Sequence, residues 1–137
     1  MIKAKKSLGQ NFLIDKLILE KITDTTDIQN KIVLEVGPGT GNLTSFILKK
    51  NPKKLFVIEK DNELAKDLEN KFNNQITVIN DDVLKIDETL LFKEKVVVFG
   101  NLPYNISTEI LSKWIVNLKD TFWFECLVLM ESKKCQS

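Results

Sequence analysis

Hydrophobic residues along this chain gather in five short, nearly continuous runs, at residues 32–36, 55–59, 76–79, 95–99 and 124–130. Runs of this length and composition are typical of strands that are buried on both faces of a parallel sheet. Between the runs, apolar residues recur at helical spacing, in residues 42–50, 61–72 and 107–114. The alternation of strand and helix predicts an α/β fold with a doubly wound, Rossmann-like parallel sheet.

The N-terminal segment has a different pattern. Residues 1–14 contain three lysines and a glycine break at Gly9, and we expect them to form an extended basic arm. Phe12 and its apolar neighbours need to be buried, which argues against a frayed terminus. Asp15 is a plausible N-cap for a short helix that begins after the arm.

Length and composition limit the class of protein. A chain of 137 residues is expected to form one domain, over residues 1–137, and can bury a core. Its 43% hydrophobic and 28% charged residues are those of an ordinary soluble globular protein. The net charge of +1 provides no global attraction to nucleic acid, so any such attraction has to be local.

Two absent residue types limit the possible chemistry. The chain has no Arg, which excludes bidentate guanidinium recognition, and no His, which excludes an imidazole base. Cys126 and Cys135 without His partners do not make a zinc site, so no metal is expected. No apolar run reaches the roughly 20 residues that span a bilayer, and the N-terminus lacks the apolar core of a secretory signal. We expect a monomeric, cytoplasmic protein that does not bind membranes.

Three glycines follow the first predicted strand at every second position: Gly37, Gly39 and Gly41. Glycine allows a ligand to approach the backbone closely, because a Cβ atom would obstruct it. The predicted helix behind this turn presents free N–H groups and the positive end of its dipole. Alone, the pattern fits a dinucleotide site, an S-adenosylmethionine site or a simple tight turn.

Acidic residues stand at or near the ends of the first three predicted strands. Glu35 interrupts the first run near its carboxyl end, where open α/β sheets bind ligands. Glu59 falls about 20 residues beyond the glycines, where an acidic side chain can accept hydrogen bonds from ribose hydroxyls. Asp82 follows the third strand and suits either the amino group of a bound adenine or a plain turn.

The most specific stretch is Asn101-Leu102-Pro103-Tyr104, predicted as a turn after the fourth strand and before a helix capped by Ser107. This stretch follows a glycine turn and a second strand that ends in an acidic residue. In that order, it resembles the corresponding motif of the amino-methylating S-adenosylmethionine-dependent methyltransferases. An exocyclic amine is a poor nucleophile because its lone pair is delocalised. The Asn101 side-chain oxygen and the Leu102 carbonyl would localise that lone pair, and Pro103 would fix the turn.

Tyr104 would stack on a base that is extruded from its helix. The alternative for this stretch is a proline-containing turn with a packed tyrosine.

Five ordered segments resemble the ribosomal RNA adenine N6-dimethyltransferases, and the small-subunit branch is the closer match. These segments are residues 6–13, 35–41, 57–59, 82–84 and 101–104, and the resemblance covers about residues 5–130. It implies S-adenosyl-L-methionine as cofactor and small-subunit ribosomal RNA as partner. The implied reaction is N6-methylation or dimethylation of a flipped adenine.

The resemblance also implies roles for individual residues. Residues 11 and 13 would close over the cofactor, the glycine turn would hold its methionine portion, and two acidic residues would bind its ribose and adenine. The residues implied to contact the cofactor are Asn11, Leu13, Gly37, Gly39, Glu59, Asp82 and Asn101. Those implied to hold the target adenine are Asn101, Leu102, Pro103 and Tyr104.

The match to the family decays after Met130. Family members continue with further strands and a helical domain, so we expect a methyltransferase domain truncated after about the fifth strand. One alternative is an inactive fragment with at most cofactor binding. Another is an amino-methyltransferase for DNA adenine or protein glutamine, against which residues 6–13 argue. A dehydrogenase is disfavoured, because nothing here would position a nicotinamide and its substrate.

Overall fold

The computed structural model describes residues 8–116 and 123–132, without the side chains of residues 8–15, 104, 131 and 132. The helices in these ranges are α1 (Leu8–Thr23), α2 (Asn42–Leu48), α3 (Asn62–Phe72), α4 (Glu88–Leu91) and α5 (Tyr104–Val116). The strands are β1 (Ile32–Val36), β2 (Lys54–Ile58), β3 (Thr77–Ile79), β4 (Val96–Pro103) and β5 (Phe124–Ser132). Short 3-10 turns cover Asn73–Gln75 and Val83–Lys85.

The five strands form one parallel sheet in the order β3-β2-β1-β4-β5. Val36, at the end of the central strand β1, lies opposite Ile58 on one side and Gly100 on the other. The chain moves outward from β1 to β3 and then returns to the other side of β1 with β4. Such a reversal is the topological switch point where open α/β sheets bind ligands. The predicted doubly wound parallel sheet is confirmed.

Side chains on the strands alternate between two buried clusters, one on each face of the sheet. On β1, Val33 belongs to the first cluster, whereas Leu34 and Val36 belong to the second. The first cluster includes residues of α2 and α3, and the second includes residues of α5. Because helices cover both faces, the strands are apolar almost throughout, as the sequence pattern indicated.

An aromatic group lies within the second cluster. The ring centroid of Trp123 is 5.2 Å from that of Trp114 and 5.1 Å from that of Phe124, both edge to face. Phe92 stacks on Trp123 with a centroid distance of 6.1 Å. Both tryptophans of the chain therefore belong to a single group on the α5 side of the sheet.

The predicted start of the first helix is wrong. α1 begins at Leu8, so residues 8–14 are helical and not an extended arm, and Asp15 lies inside the helix instead of capping it. Leu8 and Phe12 are four residues apart, so the helical apolar spacing extends upstream of Asp15 and through Gly9. By contrast, the helix that the sequence predicts from Asp61 does begin there: Asp61 is the N-cap of α3, because the Leu64 N–H donates to Asp61 Oδ1 at 2.9 Å.

The predicted end of the fourth strand is also wrong. β4 continues to Pro103, so Asn101-Leu102-Pro103 is strand and not a turn. A residue before proline favours extended backbone, and β5 pairs along the whole segment, up to Pro103 opposite Ser132. α5 then begins at Tyr104, so the buried Ser107 lies inside this helix and is not its N-cap.

No helix in the described ranges is long and apolar enough to cross a membrane.

Candidate functional site

Two cavities open at the carboxyl ends of the central strands, and Gly37 lines both. The larger, of about 370 Å³, lies among α1, the glycine turn, Glu35 and the ends of β4 and β5. The smaller, of about 240 Å³, lies among the ends of β1 and β2, residues 81–84 and the start of α5. Two cavities that share a wall at the switch point are suited to a ligand with two distinct portions.

The glycine turn has a left-handed backbone where the cavities meet. Gly37 has φ of +70°, and a Cβ there would collide with the side chain of Leu102. Gly39 has φ of +58°, and its Cβ would meet no atom within 4 Å, so its backbone faces open space. Gly37 therefore allows the turn to pack against β4, whereas Gly39 leaves backbone accessible beside the larger cavity.

Glu35 is, among the described residues, the only ionisable side chain that lines the larger cavity. It is 1% exposed, and Thr44 Oγ1 donates a hydrogen bond to its Oε1 at 2.5 Å. Burial raises the pKa of the Glu35 carboxyl to about 7, the Thr44 hydrogen bond opposes this rise, and the charge of Glu59 adds to it. With this pKa, the Glu35 carboxyl changes between its neutral and its charged form near neutral pH.

Glu59 connects the glycine turn to the end of β2. Its Oε1 accepts a hydrogen bond from the Gly39 N–H at 3.3 Å, and its Oε2 accepts one from the Asp61 N–H at 2.9 Å. Asn80 Nδ2 donates to the Glu59 carbonyl at 3.0 Å. Each carboxylate oxygen can accept a second hydrogen bond, so Glu59 retains acceptor capacity on the side of the smaller cavity, which it lines.

Asp82 stabilises a turn, which was one of the two alternatives that the sequence left open, and it also lines the smaller cavity. Its Oδ1 accepts a hydrogen bond from the Leu84 N–H at 3.0 Å, at the start of the 3-10 turn. Its Oδ2 lies 4.0 Å from Nζ of Lys60, a largely exposed side chain that lines the same cavity.

Asn101 and Leu102 contribute to different cavities. Asn101 is exposed and lines the larger one, whereas Leu102 is buried and lines the smaller one. This division follows from the alternation of side chains along β4. The Leu102 side chain also occupies the space that Gly37 leaves free, so the glycine turn and the Asn101 segment are in direct contact.

The other predicted site residues lie beside this site or outside the described side chains. Pro103 ends β4, is exposed, and lines neither of these two cavities. Tyr104 is the first residue of α5, and Asn11 and Leu13 lie in α1, but their side chains are not among those described.

Sequence reasoning missed several residues of the site. Ile18 and Leu19 of α1 and Met130 of β5 line the larger cavity, and Ile106 of α5 lines the smaller one. Ile18 and Leu19 fall in the helix predicted after Asp15, but no signal marked these two as site residues. Nothing in the local sequence distinguishes the other two from ordinary core residues.

The parallel sheet, the left-handed glycine turn after its central strand and the acidic residues beside that turn define a Rossmann-like domain of the methyltransferase class. Comparison with known proteins identifies the family. The family model for ribosomal RNA adenine dimethylase matches residues 1–134, and the chain belongs to that family.

Individual relatives agree with this assignment. The chain is 64% identical to ribosomal RNA small subunit methyltransferase A of Pelagibacter ubique (strain HTCC1062), over 97% of this chain and 51% of the relative. Among solved structures, a dimethyladenosine transferase from Plasmodium falciparum has a TM-score of 0.68 and 33% identity, over 85% of this chain and 41% of that one. The 23S rRNA methyltransferase ErmE has a TM-score of 0.63 and 29% identity, over 72% and 40%. The chain thus spans about half the length of the curated relatives it matches.

Proposed function

We propose that this chain binds S-adenosyl-L-methionine across the glycine turn and methylates, once or twice, the N6 amino group of an adenine in small-subunit ribosomal RNA. The observation that carries the proposal is the position of Gly37 between a cavity lined by Asn101 and a cavity lined by Glu59 and Asp82. A ligand that lies across Gly37 would contact both sets of residues.

The charges around the cavities suit a cationic ligand. Glu35 lines one cavity, and Glu59, Asp81 and Asp82 line the other, where Lys60 is the one basic residue among the described lining. Ammonium and sulfonium groups are favoured near carboxylates, whereas a pyrophosphate would be repelled by them and would find no Arg in this chain. These charges support the methyltransferase hypothesis over a dinucleotide-dependent one.

The two cavities suggest how the cofactor is held. Glu35 and the glycine turn would hold the methionine portion in the larger cavity. Glu59 would accept hydrogen bonds from the ribose hydroxyls, and Asp82 would accept one from the adenine amino group in the smaller cavity. Asn11 and Leu13, which lie in α1 upstream of Ile18, would close the larger cavity.

When bound, S-adenosylmethionine supplies an electrophilic methyl group. The residues of β4 would hold the target amine, because the Asn101 amide oxygen and the Leu102 carbonyl can accept hydrogen bonds from its N–H groups. Such acceptors oppose delocalisation of the lone pair into the adenine ring. Since Asn101 and Leu102 are paired with β5, these acceptors would be held by a strand, which positions them better than a loop would. Tyr104 would stack on the flipped base.

RNA binding by this chain would depend on lysine, because Arg is absent. Lys3, Lys5 and Lys6 precede α1, the helix whose Ile18 lines the larger cavity. We propose that these lysines contact RNA phosphates beside the site.

Calorimetric titration with S-adenosylhomocysteine tests the cofactor site. We expect saturable binding to the unsubstituted chain and affinity at least about tenfold weaker for Glu59→Ala, because two backbone N–H groups and the ribose lose an acceptor. Glu63→Ala is the matched control, since Glu63 is exposed in the first turn of α3 and lines neither of the two cavities. Absence of binding by the folded chain would refute the proposed cofactor site.

A methylation assay on small-subunit ribosomal RNA tests the reaction. Asn101→Ala should lower methyl transfer by a larger factor than it lowers affinity for S-adenosylhomocysteine, because Asn101 would act on the amine. Binding without any methyl transfer by the unsubstituted chain would leave a cofactor-binding domain only. Preferential methylation of DNA or of protein glutamine would favour the other amino-methyltransferases.

A further inference from the structure

Lys113 of α5 is joined to the wall of the smaller cavity by a buried polar network. Its Nζ donates to the carbonyl oxygens of Val83 at 2.5 Å and of Ile86 at 2.6 Å. The same Nζ lies 3.0 and 3.2 Å from the carboxylate oxygens of Glu88, and Trp114 Nε1 donates to Glu88 Oε2 at 2.8 Å. The Lys113 and Glu88 side chains are only 15% and 4% exposed.

All three donors of the Lys113 ammonium have acceptors within this network. Two of these acceptors are the carbonyls of Val83 and Ile86, which stand at the first residue of the 3-10 turn and immediately after its last residue. Removing the lysine would take one donor from each of two carbonyls and from a buried carboxylate. The Val83 carbonyl would keep the Ile86 N–H, and Glu88 would keep the Trp114 N–H. The free-energy cost of losing these buried hydrogen bonds is larger than the cost of losing an exposed ion pair.

The network joins two elements that line the smaller cavity, the 3-10 turn and α5. The 3-10 turn follows Asp82 directly, and its residues Val83 and Leu84 line the cavity. Ile106 of α5 also lines this cavity and lies two helical turns before Lys113. Lys113 lines neither of the two cavities, so its effect on a ligand would be exerted through the turn.

We propose that Lys113 is a positioning residue for the cofactor. Together with Glu88 it holds the turn after Asp82 against α5, and so sets the width of the cavity that receives the adenosine portion. This inference rests on the proposed function.

The test compares the unsubstituted chain with the double variant Lys113→Met, Glu88→Gln. Methionine replaces most of the lysine stem, and glutamine keeps an acceptor for Trp114, so the variant leaves no unpaired buried charge. Lys53→Met is the matched control, because Lys53 forms an exposed ion pair with Glu94 at 3.1 Å and lines neither of the two cavities. If the double variant does not fold, Glu88→Gln alone carries the test. It removes the carboxylate charge, keeps one side-chain oxygen that can accept from Trp114, and leaves both carbonyl acceptors of Lys113 in place.

Two quantities are measured on the full chain. The first is the hydrogen-exchange rate of the backbone amides of residues 84–86 without ligand, and the second is the calorimetric affinity for S-adenosylhomocysteine. We expect exchange about tenfold faster and affinity about tenfold weaker in the double variant. Glu88→Gln should change both quantities in the same directions by smaller factors, and Lys53→Met should change neither.

Faster exchange with unchanged affinity would overturn the proposal, because the network would then stabilise the fold only. Unchanged exchange would also overturn it, because the turn would be held without Lys113. If the unsubstituted chain binds no S-adenosylhomocysteine, the proposed function fails and the positioning role fails with it. The exchange rates would still show whether the network holds the turn, so the two failures can be distinguished.

Discussion

Replacing Glu35 by glutamine should stabilise the folded chain at neutral pH. Glu35 is buried at the end of the central strand and receives a hydrogen bond from Thr44. Glutamine has nearly the same shape and keeps an oxygen that can accept this hydrogen bond, but it carries no charge. The substitution therefore removes the cost of burying a carboxylate and leaves the packing of β1 intact.

The magnitude follows from the pKa of Glu35. Burial raises this pKa from its ordinary value of 4.5 to about 7. The folded chain therefore binds this proton more tightly than the unfolded chain does. The stability that results is fully present below about pH 4.5 and is lost as the pH rises to about 7. The full loss corresponds to roughly 3.5 kcal/mol, since one pKa unit is worth about 1.4 kcal/mol.

Urea unfolding between pH 5 and pH 8 provides the assay. The variant should gain least relative to the unsubstituted chain at pH 5, and the difference in free energy of unfolding should grow in its favour by roughly 2.5 kcal/mol between pH 5 and pH 8. Glu63→Gln, at an exposed position, controls for the general effect of removing a charge. If the curves for Glu35→Gln and the unsubstituted chain stay parallel across this range, the burial argument is refuted.

Three further predictions concern the turn, a helix cap and RNA. Gly37→Ala and Gly39→Ala should each strain a left-handed backbone by about 1–2 kcal/mol. Gly37→Ala should lower the free energy of unfolding more, because only its Cβ would also collide with Leu102 of β4. Equal losses in urea unfolding would contradict this. Asp61→Ala should cost about 1 kcal/mol by removing the α3 cap, whereas Asp67→Ala, inside the helix and exposed, should cost less. Raising salt from about 50 to 200 mM should weaken RNA binding at least tenfold in a filter-binding assay and leave S-adenosylhomocysteine affinity nearly unchanged, and a salt-independent RNA affinity would exclude the lysine contacts.

The sheet and the central part of the site could be predicted because they depend on local sequence. Both faces of β1 are buried, so its residues form a nearly continuous apolar run. This strand can therefore be predicted without knowing which segments pack against it. Glu59 and Asp82 could be placed together because the carboxyl ends of parallel strands lie at one edge of the sheet. The glycine spacing indicated the turn beside Glu59.

The parts that could not be predicted depend on contacts between distant segments. The length of β4 is set by its pairing with β5, whereas Asn101-Leu102-Pro103 alone has the composition of a turn. Lys113 has the sequence context of a solvated helix residue, yet its ammonium is paired with Glu88, 25 residues earlier in the chain. No periodic pattern relates those two positions.

The grouping of both tryptophans on the α5 side of the sheet gives the protein an optical reporter for one layer only. Intrinsic fluorescence will follow the surroundings of Trp114 and Trp123, whereas far-UV circular dichroism averages over the whole backbone. If the opposite face of the sheet, which α2 and α3 cover, loses structure first on heating, ellipticity will change before tryptophan emission does. Because the Trp114 indole is hydrogen-bonded to the Glu88 carboxylate, movement of the turn beside the smaller cavity will alter its emission without any attached label.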